Sequence, residues 1–157
     1  MDTRFNLFDN EIAAKFTKRF ASAALVIEQS PLPKSTAELV ALRASQINGC
    51  GYCTDMHSKD ALHAGETQQR LNLVAAWREA TVFTEAERAA LELTEQGTRI
   101  ADASTGVSDD AGRDAAKHYS VDELAALVSL IAIINLYNRL NVITCQPAGD
   151  YVPGQWS

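Results

Sequence analysis

Apolar residues recur every third or fourth position along most of this chain, and no stretch keeps the period-two alternation of a half-buried strand. From about Asp9 to Glu28, Ile12, Phe16, Phe20, Ala24 and Ile27 mark one stripe of an amphipathic helix, and Pro31 and Pro33 end it. A second helix is predicted from Ser35-Thr36-Ala37-Glu38, which has the form of a capping box, down to a stop at Asn48-Gly49. The third begins around Cys50 to Thr54 and runs to Ala64, where Gly65 can take the left-handed terminating conformation. A fourth covers about Thr67 to Glu79, and a fifth opens at a second box, Thr84-Glu85-Ala86-Glu87. After a polar loop from Ala103 to Asp110, a brief helix from about Ala111 to His118 leads to the last, which opens at Ser120-Val121-Asp122-Glu123. The expectation is an all-α fold, a compact bundle of about six helices in a single domain over residues 1–157.

Composition supports that picture: four prolines and eight glycines leave little turn chemistry for hairpins, and 46% apolar residues suffice for a core. Acidic residues exceed basic ones by 20 to 14, with no Lys/Arg cluster, so nucleic acid is not an expected partner. The start, MDTRFNLFDN, lacks the apolar run of a secretory signal, which predicts a cytoplasmic address. The longest apolar run, Leu124 to Ile134, is broken by Ser129 and closed by Asn135. It falls short of the roughly 20 residues of a membrane span and is expected to be a buried helix. Because Leu124 to Ile143 is apolar around much of its circumference, subunits are expected to form a homo-oligomer.

Three cysteines are too few and odd in number for a secreted disulfide framework, which turns attention to the close pair in Cys50-Gly51-Tyr52-Cys53. At a helix start, unpaired N–H groups and the positive end of the dipole stabilise a thiolate. The two-residue spacing lets the sulfurs approach bonding distance, so a sulfenic acid on one could be trapped by the other. His57 follows Cys53 by four residues and shares its helical face, whereas Cys50 precedes the first turn. An imidazole with a pKa near about 6.5 can take the Cys53 proton and return it to a leaving group.

A structural zinc site is the rival reading of the pair, with His63 as the natural further ligand. Yet His63 sits six residues after His57, about 120° round a regular helix. Glu38 is either the closing residue of the Ser35 capping box or a carboxylate standing behind His57. His63 and His118 are expected at surfaces or interfaces, Cys145 as a small buried apolar residue, and Trp77 and Trp156 as packing residues.

The segment Glu38-x11-Cys50-x2-Cys53-x3-His57 resembles the active-site signature of the alkylhydroperoxidase D and carboxymuconolactone decarboxylase-like family. So do the residues around it, from Leu42 to Cys50 and from His57 to Glu66, with weaker support from Asn135-Leu136-Tyr137-Asn138-Arg139-Leu140. The resemblance implies an all-helical homo-oligomer in which Glu38, Cys50, Cys53 and His57 form a proton relay around a peroxidatic dithiol. It also implies a hydroperoxide substrate and an external dithiol or lipoyl-type reductant. No Gly-rich nucleotide fingerprint is present, so no cofactor is expected. The best-known branch has a histidine immediately before the second cysteine; this chain has Tyr52, whose phenol donates rather than accepts protons at neutral pH. A non-catalytic redox-sensing module and a lactone decarboxylase-like enzyme are the alternatives, the intact CxxC counting against the second.

Overall fold

The computed structural model describes residues 3–155, so Trp156 lies outside the described residues. After a short 3-10 turn at Leu7–Asp9 come seven α-helices: α1 Glu11–Glu28, α2 Lys34–Ile47, α3 Gly51–His63, α4 Gln68–Leu73, α5 Glu85–Thr98, α6 Asp109–His118 and α7 Val121–Thr144. No strand occurs among the described residues, and the all-α expectation of about six helices is met by seven, one for each helical segment read from the sequence.

The helix α2 is central because it is apolar or small almost all round. Leu39, Leu42, Ala61, Leu71, Val74, Trp77, Phe83 and Leu91 form one buried cluster between α2, α3 and α5. Val40 joins Ala90, Leu127 and Ile131 in a second. Ala41 and Ala44 form a third with Ile134, and these short side chains let α7 lie close against α2. The buried Ser45 returns its hydroxyl to the Ala41 carbonyl at 2.7 Å, so a polar residue sits on this dry face without an orphan donor.

Two of the three capping boxes form as the sequence dictates: Thr84 with Glu87, and Ser120 with Glu123, each with both reciprocal hydrogen bonds. The third does not form. The helix α2 starts at Lys34 behind Pro33, with no side-chain cap, and Glu38 therefore lies beyond the turn it was expected to close. The fourth predicted helix also stops early, at Leu73, and passes through a 3-10 turn at Val74–Ala76. The guanidinium of Arg88, on α5, donates to the carbonyls of Trp77, Arg78 and Ala80. Trp77 turns inward and donates its indole N–H to Glu95 at 3.0 Å. These long-range bonds outbid the i→i−4 ladder that a local pattern would have continued.

The last helix is longer and less buried than its apolar run suggested. Among the described residues it alone is long and apolar enough to cross a membrane by length and composition, yet only 33% of its most apolar window is buried. One face is committed to the bundle through Leu127, Ile131, Ile134, Asn135 and Asn138, while Val128, Val142 and Ile143 are exposed. α1 packs against it and has no buried residue at all; Ile12 of its stripe is 80% exposed and Phe16 44%. Cys145 corrects another expectation: it caps α7 with φ +56° and is half-buried rather than part of the core.

Candidate active site

The site is built where the start of α3 meets α2 and α7. Gly49, at φ +65°, turns the chain sharply after α2. The turn delivers Cys50 to the N-cap of α3, where its Sγ accepts the Cys53 N–H at 3.4 Å. Both cysteines are free thiols and each is only 1% exposed.

His57, one turn along α3, donates from Nδ1 to Glu38 Oε2 at 2.8 Å. A carboxylate beside Nδ1 fixes the proton there and leaves Nε2 as the basic nitrogen of the neutral ring. That Nε2 is buried and has no hydrogen-bond partner among the described residues. A buried, unsatisfied imidazole nitrogen costs stability, and sites that retain one commonly use it for proton transfer. The pairing settles the position of Glu38: its carboxylate serves His57 rather than the helix start.

The two thiols share one proton. The hydrogen bond from the Cys50 thiol lowers Cys53 to about 6; burial opposes this, and the amides of Asn141 and Asn138 and the electrostatic influence of His57 add to it. Cys50, donating that bond, buried and next to the charge on Cys53, is pushed far above the ordinary thiol range. Both shifts point the same way, toward negative charge on Cys53 rather than Cys50.

A polar network from α7 supports the pair. Asn141 Nδ2 donates to Cys53 Sγ at 3.2 Å. Asn138, fully buried, donates to Ser45 Oγ at 3.1 Å and accepts from Asn48 Nδ2 at 2.8 Å. Asn48 also donates to Asn135 Oδ1 at 2.9 Å. In the sequence Asn135 and Asn138 enter only as part of the family resemblance, and Asn141 not at all. The signal was present as asparagines at 135, 138 and 141, every third residue and hence along one face of an otherwise apolar helix.

On the outer side, residues 146–155 fold back over α3. Lys59 donates to the carbonyls of Gly149 and Tyr151 at 2.8 and 3.0 Å, and the Tyr151 hydroxyl donates to Asp60 at 2.8 Å. The Tyr151 ring meets Tyr52, between the cysteines, edge to face at 6.4 Å between centroids.

His63 is exposed at the far end of α3, and no group of three His, Cys, Asp or Glu side chains suited to a metal converges among the described residues.

The carboxymuconolactone decarboxylase family matches residues 13–96, which include the whole of the Glu38, Cys50, Cys53 and His57 constellation. The chain belongs to this family. Over 132 residues it is 38% identical to the uncharacterized protein YdfG of Bacillus subtilis, covering 84% of this chain and 88% of YdfG. A solved structure from Agrobacterium tumefaciens, described as a protein of unknown function and an antioxidant defence candidate of the AhpD type, superposes with a TM-score of 0.88. That pair is 35% identical over 96% of this chain and all of the other. A shorter likeness, 48% over 44 residues, links 28% of this chain to 25% of the alkyl hydroperoxide reductase AhpD of Methylocella silvestris.

Proposed function

We propose that this family member is a thiol-dependent peroxidase or disulfide oxidoreductase that reduces a hydroperoxide at Cys53. The observation that carries the reading is the convergence of a low-pKa thiolate with an imidazole whose Nδ1 is held by Glu38 and whose Nε2 is left without a partner. The local likeness to an AhpD reductase supports the same chemistry. A decarboxylase has no need of two cysteines sharing a proton, so the dithiol favours redox chemistry within the family.

In the first step His57 takes the Cys53 proton on Nε2, and the resulting thiolate attacks the distal oxygen of ROOH, breaking the O–O bond. Cys53 becomes a sulfenic acid, and the departing alkoxide takes that proton back from His57 to leave as ROH. The Cys50 thiol then condenses with the sulfenic acid, forming the disulfide and releasing water. An external dithiol, of lipoyl or protein type, reduces the disulfide by exchange and is itself oxidised. Glu38 orients His57 and stabilises its protonated form. The cytoplasm is the compartment that supplies such a reductant.

The deciding experiment is steady-state turnover of cumene hydroperoxide with dihydrolipoamide as donor, alongside a count of free thiols. Catalytic consumption with two thiols lost and recovered per cycle supports the reading. Stoichiometric oxidation without turnover would instead make the protein a redox sensor.

A further inference from the structure

The position of Cys50 raises a question of selection. At a helix start the unpaired N–H groups favour charge on the sulfur nearest to them, and that sulfur is Cys50, which caps α3 and accepts the Cys53 N–H at 3.4 Å. Left to the helix terminus alone, the first cysteine of the motif would be the thiolate. The amide of Asn141, 3.2 Å from Cys53 Sγ, instead draws charge toward Cys53, the direction in which its thiol is also shifted. The groups facing the pair are few. His57 lies on the same helix with Glu38 of α2 behind it, Ser45 comes from α2, and α7 contributes amides.

Those amides are not free to turn over. Asn135 Oδ1 and Asn138 Oδ1 both accept from Asn48 Nδ2, at 2.9 and 2.8 Å, while Asn138 Nδ2 donates to Ser45 and Asn135 Nδ2 to Thr98 at 3.1 Å. A flipped amide at either position would set N–H against the N–H of Asn48 and leave buried donors unpaired, and at Asn135 it would also turn a carbonyl toward that of Ile131. This interlocked face of α7 fixes the helix against α2, and with it the next asparagine along, Asn141, whose Nδ2 reaches Cys53 Sγ at 3.2 Å. The opposite orientation of Asn141 would point a carbonyl oxygen at the thiolate.

We propose that Asn141, held in place by the Asn135 and Asn138 network, is the residue that gives the attacking role to Cys53, its amide N–H stabilising charge there against the helix terminus that favours Cys50. The turnover consequence rests on the peroxidase reading above; the selection itself needs no peroxide to be observed. Asn141 touches the reacting sulfur and so acts in catalysis directly; Asn138 faces both thiols and so does not choose between them, and Asn135 is a positioning residue.

The test is competitive labelling of the reduced protein with substoichiometric iodoacetamide at neutral pH, mapped to Cys50 and Cys53. Wild type should label Cys53 first, and Asn141→Leu should lower the Cys53:Cys50 ratio roughly tenfold or more, the worth of a hydrogen bond to a charged group. In a Cys50→Ala background, the thiolate absorbance of Cys53 should titrate about one unit higher or more with Asn141→Leu, and higher still with the near-isosteric Asn141→Asp. Asn141→Ser, which keeps a donor, should recover part of the shift. Circular dichroism establishes that each variant is folded, and Asn141→Asp stands in if Leu is not tolerated. Preferential labelling of Cys50 in wild type, or an unchanged ratio and midpoint in a folded variant, overturns the proposal. Absence of peroxide turnover with these shifts intact would sink the peroxidase reading and leave the selection standing.

Discussion

Glu38 and His57, nineteen residues apart and on different helices, meet at 2.8 Å between Oε2 and Nδ1. The contact depends on α2 beginning at Lys34, because a helix opened by Ser35 would have engaged the same carboxylate in its own cap. It follows that Glu38→Gln should leave stability within about 0.5 kcal/mol of wild type, since no cap is lost. The same change should slow peroxide reduction on the order of 10²-fold, by weakening support for the imidazolium formed in proton transfer. Thermal unfolding and single-turnover kinetics separate the two effects. A large loss of stability with an unchanged rate would return Glu38 to a purely structural role.

The pH dependence follows from the lowered Cys53 thiol, which moves from an ordinary 9.0 to about 6. Only the thiolate attacks, and it exists above the pKa, so the oxidation rate should rise as pH increases through about 6 and then level off. Cys50→Ala removes the hydrogen bond with the largest lowering effect. The midpoint of the single-turnover profile should therefore move upward in that variant. A midpoint that stays put or falls would show that Cys50 does not hold the shared proton.

Assembly should follow from what α1 and α7 leave uncovered. Ile12, Phe16, Leu25, Val26, Val128, Val142 and Ile143 are exposed apolar residues on these two adjacent helices. A surface of this kind is costly to hydrate, and a second copy of the chain offers a self-complementary cover. Light scattering at micromolar concentration should give a mass above the monomer, and Ile143→Lys with Val128→Lys should lower it. A monodisperse monomer with full helical content would end this expectation.

The helices were legible because local rules govern them: the Thr84 and Ser120 boxes formed as written, and Gly65, at φ +98°, follows α3 as its pattern requires. The Cys53 and His57 phase was legible for the same reason, being a matter of one helical turn. What escaped was set at long range. Nothing near residue 77 announces that Arg88 will capture the carbonyls of Trp77, Arg78 and Ala80, where the local pattern would have kept the chain helical to Glu79. The Ser35 box satisfied its pattern and still failed, because the helix already begins at Lys34 and Glu38 is engaged by His57. Asn135 closes an apolar run in the sequence, yet with Asn138 and Asn141 it begins a polar face that only the arrival of α2 and the dithiol explains.

The two cysteines should fail in different ways. Cys53 has the lowered pKa, the Asn141 donor and the His57 neighbour, while Cys50 keeps its proton and caps the helix. Cys53→Ser should abolish peroxide consumption, because a hydroxyl is neither acidic nor polarisable enough to attack the O–O bond even beside an imidazole. Cys50→Ser should react once and stop at a Cys53 sulfenic acid that a dimedone-type reagent can trap, since no thiol adjoins it. Cys145, at the end of α7, is outside this chemistry, so Cys145→Ser should turn over as wild type does. Mass spectrometry of intact protein after one equivalent of peroxide distinguishes these states: a gain of one oxygen in Cys50→Ser, a loss of two hydrogens in wild type, no change in Cys53→Ser. If Cys53→Ser gains the oxygen and Cys50→Ser does not, the first cysteine is the nucleophile, and the donors of α7 serve to hold the second thiol rather than to activate it.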